Sequence, residues 1–162
     1  MSASEARRDL PVRCRMVAVV ALRGTGDSTR MLIARRASAY LRGVWSYIAG
    51  HVQAGETGAQ AALRELAEET ALVPEAFHAT SFCERFYAPE SDDIEIVPAF
   101  VARVALDAEV RLNAELSAFR WVTLDEAAGL LPFGSQRELI AHVQREFVAR
   151  EPSPFLRLSP GR

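Results

Sequence analysis

The chain contains little cysteine, no excess of basic residues and no long apolar run, and each absence excludes a class of protein. Two cysteines in 162 residues, Cys14 and Cys83, cannot build a disulfide framework, so we expect free buried thiols in a reducing compartment. A formal net charge of −2 provides no basic field for a nucleic-acid polymer. No segment approaches the roughly 20 apolar residues of a membrane-spanning helix. The N-terminal residues lack the apolar region of a secretory signal, and we therefore expect a cytoplasmic protein.

What is present is the material for one domain, because 49% of the residues are hydrophobic and the length suits a single core. We expect a flexible leader (1–12), one domain (13–150) and a C-terminal tail rich in proline (151–162). Apolar, β-branched segments predict strands at 15–22, 30–35, 45–49, 77–87, 94–106 and 118–122. Three capping-box patterns predict helices that begin at Thr57, Thr123 and Ser135.

The most informative segment is the first predicted helix, because it places three glutamates on one stripe. Glu65, Glu68 and Glu69 stand three and four residues apart, and such positions are neighbours on a helix surface. Like charges at this spacing repel by about 0.2–0.5 kcal/mol per pair on an exposed helix. A Mg²⁺ ion would turn this repulsion between the glutamates into a net attraction to the metal. Mg²⁺ takes oxygen ligands and often works between carboxylates and substrate phosphates. Arg64 can pair with Glu68 and hold it in one rotamer.

The loop before this helix adds to the site. Gly50 and Gly55 frame a tight loop, and glycine permits backbone conformations that other residues resist. Such a loop lets a backbone carbonyl, for instance that of Ala49, approach a cation. Glu56 lies just before the N-cap, where the helix dipole favours a carboxylate. A glutamate that is not fully used by the metal can act as general base, and the sequence leaves open which one does.

Residues 50–72 resemble the Nudix box of the Nudix hydrolases. The shared pattern is Gly50, Glu56, Arg64-Glu65-Leu66, Glu68-Glu69 and Leu72. The one departure is Ala71, which stands where the box has glycine, at a helix end that usually turns left-handed. The order of predicted strands and helices also fits the family. The resemblance implies an α/β fold, namely the α/β/α sandwich of the family with a central mixed β-sheet.

The resemblance also implies an activity, the hydrolysis of a nucleoside diphosphate linked to another group X, with Mg²⁺ or Mn²⁺. Carried over residue by residue, it implies the following roles. The metal would be bound by Glu65, Glu68, Glu69 and the Ala49 carbonyl. Arg64 would orient a glutamate, and Gly50 and Glu56 would support the site.

Members that resemble the MutT and dihydroneopterin triphosphate pyrophosphatase branches carry one more glutamate, six residues before a tryptophan. Glu115 stands six residues before Trp121, so the resemblance implies that it is a fourth ligand or the base. Arg35, Arg36, Arg42 and His51 are candidates for binding substrate phosphates. Ordinary surface charge explains the arginines better, and a plain loop position explains the histidine equally well.

The expected substrate is a small molecule, first a nucleoside or deoxynucleoside triphosphate or a related triphosphate. Dihydroneopterin triphosphate, ADP-ribose and dinucleoside polyphosphates remain alternatives. Two other classes stay open: a nucleotide sensor that binds without turnover, and a protein-interaction module that uses the acidic helix face. The sequence does not determine X, the number of metal ions or whether the chain forms a homodimer.

Overall fold

A computed structural model describes residues 8–159, which form a nine-stranded sheet with helices on both of its faces. The strands are β1 (Val12–Arg13), β2 (Met16–Arg23), β3 (Arg30–Arg36), β4 (Trp45–Ser46), β5 (Ile48–His51), β6 (Ala76–Ala88), β7 (Asp93–Arg103), β8 (Leu116–Val122) and β9 (Arg157–Leu158). The helices are α1 (Gly58–Thr70), α2 (Leu124–Leu130) and α3 (Gly134–Val143). Among these residues, no helix is long and apolar enough to cross a bilayer.

Strand β2 lies at the centre of the sheet. Along one edge it pairs in parallel with β7, and along the other it pairs antiparallel with β5 and then with β3. Strand β7 continues the sheet to β6 and β9, and β3 continues it to β4 and β8. Because parallel and antiparallel pairs coexist, the sheet is mixed, as predicted.

The apolar run of β2 is explained by burial on both faces, since every residue from Val17 to Leu22 is buried. Alternate side chains enter two separate cores. Val17, Val19 and Ala21 pack with residues of α1, whereas Ala18, Val20 and Leu22 pack with residues of α2 and α3. The predicted α/β/α sandwich is therefore confirmed.

The chain ends and the cysteines differ from expectation. Val12 pairs with Ile94 in β1, so the predicted leader runs into a strand, while residues 1–7 lie outside the described part. The tail contributes β9, and residues 160–162 lie outside the described part. Cys14 and Cys83 are exposed, not buried. Cys14 lies between β1 and β2, and Cys83 alternates along β6 with the buried Glu84.

The capping boxes at Thr57 and Thr123 are confirmed, but the third is wrong. Helix α3 begins at Gly134 with Phe133 as its N-cap, and the Gln136 side chain accepts a hydrogen bond from the Phe133 amide (3.4 Å). Ser135 does not cap the helix, because its hydroxyl donates to Glu84 across the fold (3.0 Å). The helix also ends earlier than expected, at a π-helical turn over Gln144–Val148.

Candidate active site

Helix α1 carries the predicted acids and begins where the sequence indicates. The Thr57 hydroxyl accepts a hydrogen bond from the Gln60 amide (3.1 Å), and the Gln60 side chain accepts one from the Thr57 amide (2.8 Å). Gly55, at φ 81°, makes the turn that leads from β5 into the helix. At the other end, Ala71 adopts the left-handed conformation (φ 60°, ψ 13°) that the family usually gives to glycine. The departure from the box therefore leaves the helix end intact.

Arg64 organises the acids on this helix and contacts more of them than the i, i+4 spacing predicts. It donates two hydrogen bonds to Glu56 (2.6 and 3.0 Å) and one to Glu65 (2.8 Å). It also donates to the His51 carbonyl (2.8 Å) and to Glu68 (3.3 Å), so the predicted pair with Glu68 is confirmed. The guanidinium lowers the pKa of the Glu56 carboxyl, and both acids raise the pKa of Arg64. Arg64 thus ties the loop after β5 to the helix.

Gly50 is required because the Glu65 side chain occupies the space of a Cβ atom at that position. A methyl group on Gly50 would overlap the Glu65 side chain, including its carboxyl group. Gly50 also pairs with Val17 in the sheet, so the backbone there cannot easily move away. The glycine in the box therefore allows the helix to press one carboxylate against β5.

Glu69 is the buried acid of the site, with 6% of its surface exposed. Its pKa is raised to about 8 by burial first, then by a hydrogen bond with Glu115 and by the charges of Glu65 and Glu115. The nearby Arg36 acts in the opposite direction. The fold brings Glu115 here because the segment after β7 crosses the end of α1, where the Asn113 amide donates to the Glu69 carbonyl (3.3 Å).

The donor set suits a hard divalent cation, because carboxyl groups that lie close together gain from a positive charge between them. Glu69, Glu115 and Glu65 supply these oxygens. Glu68 stands apart, with 56% of its side chain exposed. Within residues 8–159, no three acidic, histidine or cysteine side chains already surround a common point. The residues therefore fit Mg²⁺ by chemistry, and the ligand geometry stays a proposal.

A cleft of about 810 Å³ opens beside these acids and is lined by Ala49 and Arg36. The candidates Arg35, Arg42 and His51 do not line it. Arg35 instead donates to Ser117 (3.0 Å) and Arg42 to the Ala37 carbonyl (3.0 Å). The pairing of β3 with β8 shifts register between Arg35 and Arg36, the residue that lines the cleft. A bulge of this kind interrupts the alternation of side chains, so the sequence did not indicate which of the two arginines faces the cleft.

The sequence interpretation also missed two buried acids of the cleft, Glu84 on β6 and Glu95 on β7. Both interrupt apolar strands at positions where the alternation calls for a buried residue. A buried acid in a strand is rare without a partner, and this was the signal that could have marked them.

The sequence model of the NUDIX domain matches residues 13–150. This chain belongs to the Nudix family. A curated relative, an octanoyltransferase of Myxococcus xanthus, is 38% identical over 137 residues, which cover 83% of this chain but 38% of that protein. A bis(5'-nucleosyl)-tetraphosphatase [asymmetrical] of Sus scrofa is 33% identical over 103 residues, covering 59% of this chain and 67% of that protein.

Solved structures agree on the fold. A C. elegans Ap4A hydrolase binary complex superposes with a TM-score of 0.69 at 20% identity, covering 80% of this chain and 94% of that one. The chain spans well under half of the Myxococcus protein, so the named activity of that protein is not carried over.

Proposed function

We propose that this Nudix enzyme hydrolyses the pyrophosphate linkage of a nucleoside polyphosphate with Mg²⁺, and that Mn²⁺ can replace it. The observation that carries the proposal is the junction of two features. Arg36 lies close enough to Glu69 to lower its pKa, and Arg36 also lines the cleft together with Ala49, so the cleft adjoins the acids, although Glu65, Glu68, Glu69 and Glu115 are not among its lining residues. A polyphosphate could reach the acids from this cleft while the group X occupies the rest of it.

The proposed roles follow from the positions of the side chains. Glu69, Glu115, Glu65 and Glu68, together with the Ala49 carbonyl, would bind the metal. A Mg²⁺ ion held there would supply Lewis-acid chemistry, namely polarisation of a phosphoryl oxygen and activation of a water for attack on phosphorus.

Other residues would prepare this arrangement. Arg64 holds Glu65 by a charge-assisted hydrogen bond, and Glu56 in turn holds Arg64. Arg36, which lines the cleft, would balance the charge of the phosphates. One of these four glutamates would take the proton of the attacking water.

Dinucleoside tetraphosphates are the first candidates, and nucleoside or deoxynucleoside triphosphates are the second. The pig relative is named for dinucleoside tetraphosphate cleavage and is 33% identical to this chain. The volume of the cleft, about 810 Å³, lies in the upper part of the roughly 300–1,000 Å³ range of small-molecule sites. Such a cleft has room for more than a mononucleotide.

The test is a substrate panel with Mg²⁺, assayed by release of phosphate or pyrophosphate. The panel holds diadenosine tetraphosphate, NTPs, dNTPs, ADP-ribose, dihydroneopterin triphosphate and CoA, each repeated with EDTA. We expect EDTA-sensitive turnover that Glu69→Gln reduces by orders of magnitude. Glu138→Gln, which removes an exposed glutamate from α3, is the matched control and keeps full activity.

The panel also separates the two other classes. A sensor would bind a nucleotide without turnover, and an interaction module would show no effect of Mg²⁺ on its thermal stability. Metal-dependent hydrolysis of any member of the panel excludes the sensor.

A further inference from the structure

Two buried carboxyl groups lie on the floor of the cleft, although the expected substrate is a polyanion. Glu84 and Glu95 are 7% and 5% exposed, and both line the cleft. Glu84 pairs with Val97 across β6 and β7, and Glu95 lies two residues from Val97 on the same face. Their positions are therefore diagonal neighbours, about 7–8 Å apart. Buried acids need partners, because an unpaired buried charge is costly.

The protein partners satisfy only part of these carboxyl groups. Tyr47 and Ser135 both donate to Oε2 of Glu84, each at 3.0 Å. Its Oε1 accepts no hydrogen bond from residues 8–159. Arg15 donates to Oε1 of Glu95, while its Oε2 is buried without a partner in the same range. Each acid thus keeps one free acceptor.

A carboxylate oxygen without a protein partner in the cleft indicates which chemical group of the ligand lies beside it. Negative oxygens repel phosphates, so the polyphosphate belongs at the other end, near Arg36 and the helix acids. The group that meets Glu84 must carry hydrogen-bond donors. Exposed aromatic rings of Tyr40, Phe86 and Phe133 line the same cleft, and such rings stack on heterocycles. Donors and a flat ring together describe an amino-substituted base.

We infer that Glu84 is a specificity residue that accepts a hydrogen bond, through its free Oε1, from the exocyclic amino group of the substrate base. Tyr47 and Ser135 hold the Glu84 carboxyl in place from below. This inference rests on the proposed function, since it assigns the base end of the same nucleotide.

The test compares nucleotides that differ only by the amino group: GTP with ITP, and ATP with purine riboside triphosphate, all with Mg²⁺. The wild-type enzyme should prefer the amino member of at least one pair by about 10- to 100-fold in kcat/KM, the value of a hydrogen bond to a charged group. In Glu84→Gln, the amide oxygen keeps Tyr47 and Ser135 while the NH₂ faces the cleft. That variant should lose the preference, because two donors then meet.

Glu90→Gln is the matched control, since it removes an exposed acid from the rim of the same cleft. It should keep the wild-type preference. The wild-type ratio needs no substitution, so a poorly folded Glu84→Gln still leaves that measurement decisive.

Failure of the inference and failure of the proposed function give different results. Turnover with ratios near one in both pairs, or an unchanged preference in Glu84→Gln, overturns the role of Glu84 and leaves the hydrolase. If no nucleotide is hydrolysed, the proposed function fails. Dissociation constants for the same pairs then test Glu84 directly, and equal affinities within each pair refute it.

Discussion

The replacement Glu69→Gln should make the metal-free protein more stable at high pH while it destroys activity. Glu69 is buried against other acids, and its pKa stands at about 8 instead of 4.5. Glutamine has the same shape but cannot ionise. The substitution therefore removes the cost of a buried negative charge and leaves the packing unchanged.

The sign and size follow from proton linkage. The folded protein keeps the Glu69 proton up to about pH 8, whereas the unfolded chain loses it near pH 4.5. Between these values the unfolded state binds fewer protons, so the free energy of unfolding falls as pH rises. The difference in pKa corresponds to an upper bound on the order of 5 kcal/mol. Because the carboxylate can turn towards Arg36 and the cleft, we expect a smaller effect. The free energy of unfolding of the wild type should fall by about 2 kcal/mol between pH 5 and pH 9.

The assay is urea unfolding followed by tryptophan fluorescence at pH 5, 7 and 9 in EDTA. The advantage of Glu69→Gln over wild type should grow with pH, and saturating Mg²⁺ should remove it by stabilising only the wild type. Glu68→Gln is the control, because the Glu68 side chain is 56% exposed and its removal should not change the pH dependence. If wild type and Glu69→Gln lose stability in parallel from pH 5 to pH 9, the burial argument is refuted.

Three further substitutions test the geometry of the helix. Ala71→Gly should raise the free energy of unfolding by about 0.5 kcal/mol, because glycine adopts the left-handed backbone of this position without strain. The control Ala67→Gly, at an exposed position inside α1, should lower the free energy of unfolding by about 1 kcal/mol. Equal effects of the two substitutions in urea unfolding would contradict the left-handed conformation of Ala71. Gly50→Ala should cut kcat by at least about 10-fold with little change in Tm. The reason is that the new methyl group displaces the flexible Glu65 side chain and not the backbone. A lower Tm with an unchanged kcat would refute this role of Gly50. Arg64→Lys should lower kcat and should lower the free energy of unfolding by about 1–3 kcal/mol, because lysine cannot make the bidentate contact with Glu56. A melting curve and a rate equal to those of the wild type would show that this contact is dispensable.

Much of α1 could be predicted from the sequence because its interactions are local. The capping box at Thr57, the shared face of Glu65 and Glu69, and the left-handed end at Ala71 depend on residues within a few positions of one another. Helical geometry converts such spacings directly into distances. The apolar run of β2 likewise predicted a strand covered on both faces.

The other partners of Arg64 show what this reasoning leaves out. Spacing predicts the contact with Glu68, four residues away, and that contact is present (3.3 Å), but the guanidinium also makes two shorter hydrogen bonds to Glu56 across the loop. Two well-placed hydrogen bonds to one carboxylate outweigh a single contact with an exposed one. The loop conformation that allows them is not encoded in a helical period.

The amino-acid sequence alone determined the family and the helix that carries the acids, and it predicts a divalent metal ion at them. Only the tertiary structure decided that Arg36 and not Arg35 faces the cleft, and that Glu84 and Glu95 share its floor. It also decided that Glu115 meets Glu69, whose place in the sequence is 46 residues away. Such pairs are set by strand register and chain crossing, which bring distant residues together at separations that no local pattern records.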